Sequence, residues 1–193
     1  MVQIGLYKKM VIIAGAELFT GNNLLVMAWA DRKISMSEVL RNWIIVCLAN
    51  FVGAFGLAIL IYLSGHTEMN GGAVATHYLK VAAAKCNLSF QHAFFSGILC
   101  NILVCLAVWM AFAGRTVIDK VVAIVLPVSA FVAAGFEHSI ANMYLIPMGI
   151  LLKSTSVESI SWMGFLANII PVILGNLFRG SVFVALIYHI WSA

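Results

Sequence analysis

One short pattern occurs twice in this chain, at residues 14–22 and again at 134–142. Both copies read Ala-Gly-x-Glu-x-x-x-x-Asn, and each interrupts a long apolar stretch. The acid and amide are Glu17 and Asn22 in the first copy, and Glu137 and Asn142 in the second. Such groups are costly in hydrocarbon unless they line protein or water. Two interruptions at matching places in two halves of a chain predict paired broken helices around a transport path.

The composition indicates a membrane protein. Of the 193 residues, 63% are hydrophobic and only 9% are charged, and the mean hydropathy is +1.05. A soluble domain carries about 25% charged residues, so we expect an all-α polytopic membrane protein in a lipid bilayer. The basic residues are scattered near segment ends, which is typical of topology signals rather than of nucleic-acid binding. The four cysteines lack metal-binding spacing, so no metal site is expected.

Five apolar segments are long enough to cross hydrocarbon, which takes about 20 helical residues. They cover about 10–29, 42–63, 90–112, 121–152 and 165–191. The fourth is long enough to form two half-helices with an irregular joint, which is tolerated only where it is shielded from lipid. The hydrophilic stretch at 64–89 contains Gly71, Gly72 and two histidines, and it is predicted to be an exposed loop.

The repeat extends beyond the two interruptions. Asn50 and Gly53 follow the first broken segment, and Asn176 and Gly180 follow the second. The fourth segment is the third crossing after the first, so the two broken helices run in opposite directions and form an inverted repeat. We therefore interpret 1–193 as a single transmembrane channel domain. Its partial first repeat covers 10–63 and its second repeat covers 90–191.

The two repeats are unequal. The second has an intact span at 90–112 before its broken one, whereas the first has none, so five of an expected six spans are present. We expect the sixth to lie before Met1. The adjacent Lys8 and Lys9, where a half-helix should begin, fit this interpretation because lysines are poor membrane core.

Loop charge gives an orientation. The loops at 30–42 and 114–120 carry five basic residues, against three in the loops at 64–89 and 153–164. This favours the first pair of loops as cytoplasmic. Counting Lys8 and Lys9 makes the two sides equal.

Several of these motifs resemble the formate–nitrite transporter family. The resemblance is carried by Gly135 through Met143 (GFEHSIANM), Gly15 through Gly21 (GAELFTG), Asn101 through Trp109 (NILVCLAVW) and the pair Gly175-Asn176. It extends from about residue 14 to about 190. Phe136 and the sequence Ile-Pro-Met-Gly at 146–149 are more similar to formate members than to nitrite members.

The resemblance implies an aquaporin-like helical fold and a homopentamer with one pore in each protomer. It implies small monovalent anions as substrates, with formate first and nitrite or hydrosulfide as alternatives, and no cofactor. The expected location is the bacterial or archaeal cytoplasmic membrane. Two departures stand out: the first span is absent, and Arg179 occupies one position of the Gly-Gly pair that is usual in the last span.

Five residues are candidates for the substrate pathway. His138 can hold an anion or give it a proton, because imidazole changes charge near physiological pH. Thr20, in the matching position of the first interruption, can donate to an anion or to His138, and it can equally serve as a cap. Lys120 is either a pore-mouth attractor, as the family pattern suggests, or a plain interfacial lysine. Asn50 and Asn176 either line the path or lock helix packing.

A second group of residues is assigned to constrictions and to the breaks themselves. Leu18, Phe19 and Phe131 are candidates for apolar constrictions that exclude water; the alternative for each is ordinary packing. Four residues are interpreted as structural at the helix breaks: Glu17, Glu137, Asn22 and Asn142. The two acids are expected to bond backbone N–H groups that the breaks leave free, because an anion pore should not present acids to its substrate. A role as proton carriers is the alternative for the acids.

Three other functions remain open from the sequence. A channel for neutral solutes could use the same architecture, although the two Asn-Pro-Ala motifs of aquaporins are absent. An enzyme is not expected, because the chain lacks His-Glu-x-x-His and Gly-x-Ser-x-Gly motifs. A truncated, non-conducting family member is the third. The sequence distinguishes neither the physiological anion nor channel from proton-coupled transport, and the role of Arg179 is open.

Overall fold

The computed structural model describes residues 18–153 and 160–179, which form eight α-helices and one 3-10 helix. The α-helices are α1 (Phe19–Asn22), α2 (Leu25–Ala30), α3 (Met36–Leu63), α4 (Ala73–Cys86), α5 (Phe90–Ala113), α6 (Val117–Ala133), α7 (Ser139–Leu152) and α8 (Trp162–Phe178). The 3-10 helix spans His66–Gly72. This part of the chain contains no strand.

The predicted joint in the fourth segment is present, between α6 and α7. Gly135 has φ +69°, a left-handed conformation that favours glycine. The Gly135 N–H donates to Val132 O at 3.1 Å, and the Phe136 N–H donates to Phe131 O at 3.0 Å. These two bonds and the packing of Phe136 against the cluster around Phe131 form a Schellman motif. The Ala-Gly-Phe sequence therefore ends α6 by local chemistry.

The described part of the first interruption, from Leu18 onwards, is not one continuous helix. Leu18 is extended (φ −103°, ψ 123°), α1 is a single turn, and Asn23 and Leu24 separate it from α2. Asn23 and Leu24 themselves keep αR backbone angles. The described residues of this interruption are therefore an extended residue, a single helical turn and a short discontinuity before α2.

Two described helices, α3 and α5, are long and apolar enough to cross a bilayer by length and composition. Helix α3 begins at Met36, earlier than the predicted residue 42, because Ser35 and Glu38 form a capping box at its amino end. Helix α8 likewise begins at Trp162 rather than 165, where the Ser161 hydroxyl accepts from the Gly164 N–H. α7 and α8 are shorter apolar helices.

Large apolar side chains lie on the surface of α3 and α6. Val52 is 70% exposed on α3, and Val117 and Ile118 are 77% and 74% exposed on α6. An apolar surface of this extent is unfavourable in water. The exposed faces are consistent with the polytopic membrane class predicted from composition.

The prediction of an exposed loop at 64–89 is wrong. Residues 73–86 form α4, which packs against α7, and Ala82 on its inner face is fully buried. Tyr78 of α4 and Tyr144 of α7 share a hydrogen bond between their hydroxyl groups at 2.7 Å. The Ala-rich sequence of 73–86 has high helix propensity, which the glycines and histidines around it concealed.

Close backbone approach joins α5 to α8. A Cβ on Gly97 would lie 3.0 Å from the Val172 carbonyl oxygen, and one on Gly175 would overlap the Phe94 carbonyl oxygen. Small residues let membrane helices approach this closely. The contact brings Asn176, which follows Gly175, against the backbone of α5.

We expect Gly175→Ala to destabilise the protein by about 1–3 kcal/mol, because the added methyl group has no space beside a backbone oxygen. Thermal unfolding in detergent measures the change. Gly53→Ala in α3 is the matched control, since nothing lies within 4 Å of a Cβ there. We expect that control to stabilise the protein by about 0.5–1 kcal/mol. Equal effects in the two variants would contradict the proposed close contact.

Candidate functional site

The two interruptions meet at Thr20 and His138. The Thr20 Oγ1 and His138 Nε2 atoms lie 3.2 Å apart, although the residues are 118 positions apart in the chain. Thr20 is fully buried and His138 is 8% exposed. His138 is the N-cap residue of α7, and Thr20 lies in the single turn of α1. The breaks therefore bring one hydroxyl and one imidazole together inside the bundle.

The surroundings of His138 fix its neutral tautomer. Its Nδ1 accepts the Ala141 backbone N–H at 3.3 Å, as an N-cap side chain does. In the neutral ring the proton is then on Nε2, which donates to Thr20 Oγ1. The Thr20 hydroxyl therefore receives one hydrogen bond and keeps its own proton for another acceptor.

An aromatic ring covers one face of the imidazole. The ring of Phe131 is stacked on that of His138, with centroids 5.5 Å apart and planes 11° from parallel. Phe131 is buried in a cluster with Cys100 and Val104 of α5. One face of the imidazole is thus apolar, and its Nε2 edge meets the Thr20 hydroxyl.

Glu137, next to His138, takes part in a buried ion pair. Its Oε1 accepts from Lys85 Nζ at 2.8 Å, and the two side chains are only 5% and 14% exposed. Its Oε2 accepts from the Asn142 amide at 2.5 Å and lies 3.4 Å from the Asn168 amide. The sequence-based interpretation of Glu137 as structural fits this arrangement, but its partners are side chains rather than freed backbone N–H groups.

The two breaks have equivalent hydrogen bonds. The Phe19 N–H donates to Asn50 Oδ1 at 3.0 Å, and the Ser139 N–H donates to Asn176 Oδ1 at 3.1 Å. Phe19 and Ser139 occupy the same position of the repeated pattern. Leu18 and His138, one residue earlier, have nearly the same backbone angles.

A second pair of hydrogen bonds also joins corresponding positions of the two halves. Asn22 donates its side-chain amide to Asn42 at 2.9 Å, and Asn142 donates to Asn168 at 2.7 Å. In this register Leu18, and not Thr20, is the equivalent of His138. The predicted equivalence of Thr20 and His138 is therefore wrong. Thr20 reaches His138 from two residues further along the first break.

Asn176 is committed to the protein around it. Its side-chain amide donates to Gly97 O at 2.8 Å and to Glu137 O at 3.3 Å, and its Oδ1 accepts from Ser139. Asn176 therefore holds the backbone on both sides of His138. The packing alternative fits this residue better than a direct contact with substrate.

The remaining candidates are Lys120, Leu18, Phe19 and Glu17. Lys120 is in the first turn of α6, at the opposite end of that helix from His138, so about 20 Å separates them along its axis. Leu18 is 43% exposed, whereas Phe19 is buried. Glu17 lies outside the described residues.

Sequence reasoning missed Lys85 and Asn168. Lys85 was counted as a loop charge, and its pairing with Glu137 crosses 52 positions. The sequence did contain a signal for this pair. Lys85 ends an Ala-rich stretch that favours a helix, and Glu137 is an acid in an apolar span with no partner evident in the sequence. Asn168 had a simpler one, because it has the same offset from Asn42 that Asn176 has from Asn50. Among the described residues, no group of three or more His, Cys, Asp or Glu side chains could hold a metal.

Long apolar helices, with two interruptions that meet at buried polar groups, are typical of membrane transport proteins. The pattern described as Formate/nitrite transporter matches residues 3–190, and the chain belongs to that family.

Characterised relatives support the same assignment. The chain is 40% identical over 188 residues to "Formate channel FocA" of Haemophilus influenzae, covering 90% of this chain and 66% of the relative. It is 40% identical over 194 residues to "Formate channel FocA" of Escherichia coli strain K12, covering 93% and 68%. It thus spans about two thirds of the length of these relatives. The solved "Pentameric formate channel with formate bound" matches with a TM-score of 0.85 and 38% identity, covering 95% of this chain and 78% of that one.

Proposed function

We propose that this chain forms a channel for small monovalent anions, with formate as its substrate. Family membership and the names of the relatives support the class of substrate. The observation that carries the proposal is the buried 3.2 Å contact between Thr20 and His138. It provides a proton-bearing pair where two interrupted helices meet, between apolar side chains.

The first step of the mechanism is attraction of the anion. Helix α7 begins directly after His138. The amino end of a helix carries a partial positive charge, which favours anions. Lys120 acts at the entrance, since it lies one helix length away from the centre. Apolar side chains, with Phe131 against the imidazole and Leu18 at the first break, then strip water from the anion.

The second step is passage through the centre. The ideal cost of moving a carboxylate-sized ion from water into a low-dielectric medium is on the order of 20 kcal/mol. The Thr20 hydroxyl, with its own proton free, donates to the anion while His138 Nε2 donates to Thr20. If His138 first takes up a proton from solution on Nδ1 and gives up its bond to the Ala141 N–H, its Nε2 proton can pass to Thr20 while the Thr20 proton passes to formate. His138 is then neutral again, and the neutral acid crosses an apolar barrier at far lower cost than the anion.

The architecture we propose is an aquaporin-like inverted repeat that assembles as a homopentamer in a cytoplasmic membrane of a bacterium or archaeon. The equivalent hydrogen bonds of Asn50 and Asn176 at the two breaks support the repeat. The exposed apolar faces of α3 and α6 support burial against lipid or other subunits. A matched structure is described as pentameric.

Uptake of labelled formate into proteoliposomes tests the function. We expect saturable formate uptake, competition by nitrite and hydrosulfide if the site accepts any small monovalent anion, and no accelerated shrinkage in glycerol. Vesicles that pass glycerol but not formate would favour the neutral-solute alternative. Vesicles that pass neither solute, from protein that assembles normally, would contradict the channel.

Thr20→Val is expected to reduce formate flux about ten- to a hundredfold, because a hydrogen bond to a charged group contributes about 1.5–3 kcal/mol. Valine keeps the shape of threonine and removes the hydroxyl. Thr20→Ser, which restores the hydroxyl, is the matched control and should retain most of the flux. Equal flux in the Val and Ser variants would remove the Thr20 hydroxyl from the pathway.

A further inference from the structure

A second polar cluster lies behind the candidate site, around the backbone carbonyl of Asn176. The Asn23 amide donates to Asn176 O at 3.0 Å, and the Asn101 amide donates to the same oxygen. The backbone N–H of Arg179 also points to it. Asn23 and Asn101 are both fully buried. One carbonyl oxygen therefore gathers donors from the first break, from α5 and from α8.

The other ends of these two amides are not satisfied by protein. Within the described part of the chain, no donor reaches Asn23 Oδ1 or Asn101 Oδ1, and both atoms are buried. Turning either amide over would direct its oxygen at the Asn176 oxygen, so the orientations are fixed. A buried acceptor without a donor costs about 1–3 kcal/mol. Native structures rarely leave two such atoms around one carbonyl.

We propose that a buried water molecule binds here and donates one O–H to Asn23 Oδ1 and the other to Asn101 Oδ1. Both amide groups donate to the same carbonyl oxygen, so the two side chains are neighbours around it, each with an unsatisfied Oδ1. One water can bridge two acceptors up to about 5.5 Å apart. Buried water typically makes about three hydrogen bonds to otherwise unsatisfied polar groups.

The surroundings select a neutral ligand over an ion. An anion would face two amide oxygens. A cation would lie beside the N–H groups gathered at Asn176 O. Water alone supplies two donors without adding charge. This site is thus distinct in chemistry from the Thr20–His138 pair, which faces an anion.

The water would tie the two breaks together. Asn23 follows Thr20 by three residues, so a bridge from Asn23 to Asn101 anchors the first break to α5. The side chain of Asn176 holds the second break through Ser139 and Glu137. Through its backbone oxygen and its side chain, Asn176 therefore connects both interruptions. The bound water adds to the link with the first interruption, which contains Thr20.

A structure of the full chain, at a resolution that shows ordered water, tests the site. We expect one density peak within about 3.2 Å of both Oδ1 atoms, without anomalous X-ray signal when the crystals are prepared in rubidium salts. Rubidium signal at the peak would replace water with a cation and overturn the proposal. Side chains turned so that protein donors satisfy both oxygens, or oxygens with no peak between them, would also overturn it.

Asn101→Leu provides a second measurement, because leucine has a similar size and lacks the amide. We expect the peak to disappear while Asn23 remains, the Thr20–His138 distance to lengthen, and formate flux to fall several-fold. Asn87→Leu, at an exposed position after α4, is the matched control. A peak that survives in Asn101→Leu would show that the water does not depend on both amides. If formate flux fails in the wild-type chain while the peak is present, the proposed function fails and the water site stands.

Discussion

His138→Phe is expected to lower formate flux in proteoliposomes by at least about a hundredfold, the lower end of what a positioned proton donor contributes. Phenylalanine retains the stacking on Phe131 and removes the proton-bearing Nε2 that faces Thr20. The wild-type flux should rise as the pH falls from about 8 to about 5, because protonation of an imidazole becomes more favourable at lower pH. The Phe variant should show a flat profile. Flux measured at several pH values on both sides of the vesicle checks both statements.

A structural effect of the same substitution can be separated from a chemical one. His138 also caps α7 by accepting the Ala141 N–H, and losing a cap costs about 1 kcal/mol. His138→Asn keeps a good N-cap side chain and still removes the titratable ring. We expect the Asn variant to unfold at nearly the wild-type temperature and to share the low, flat flux profile. A Phe variant that carried formate like wild type at every pH would exclude a proton role.

The second break could be predicted from the sequence because its causes are local. Ala-Gly-Phe at 134–136 ends α6 with a left-handed glycine, and the polar residues after it start α7. The repeated pattern also led to the contact between Thr20 and His138, although the equivalent of His138 in backbone conformation is Leu18. A pattern of nine residues fixes which segments correspond. It does not fix which side chain reaches across, because that depends on where each helix turn points.

The ion pair beside His138 could not be predicted in the same way. Lys85 meets Glu137 only because α4 packs on α7, a contact supported by the Tyr78 and Tyr144 hydroxyl groups. Such a contact depends on tertiary packing, which the sequence of 64–89 does not display. Glycines at 71 and 72 indicated a turn, and they do have positive φ, but they precede a helix rather than continue a loop. The glycines therefore indicated the turn correctly, but the loop predicted for 64–89 was too long.

Lys85→Met is expected to destabilise the protein by about 3–5 kcal/mol, because it leaves the Glu137 carboxylate buried without its cation. Thermal or denaturant unfolding in detergent measures the loss. Lys33→Met is the matched control: the pair between Lys33 and Asp31 has the same 2.8 Å separation, but its side chains are 31% and 26% exposed. An exposed pair contributes about 0–1 kcal/mol. The two variants should therefore differ in stability because one ion pair is buried and the other is exposed, and not because of the distance between the paired atoms.

The double variant Lys85→Met with Glu137→Gln distinguishes an ion pair from simple packing. Glutamine removes the buried charge and can still accept from the Asn142 amide through its carbonyl oxygen. We expect the double variant to recover most of the stability that Lys85→Met loses, because replacing a buried ion pair by neutral groups of similar volume is often nearly neutral. If the double variant is less stable than Lys85→Met, the cost lies in packing of the lysine stem rather than in the unpaired charge. If the double variant recovers stability and keeps its formate flux, the role of the ion pair is limited to holding the second break in place.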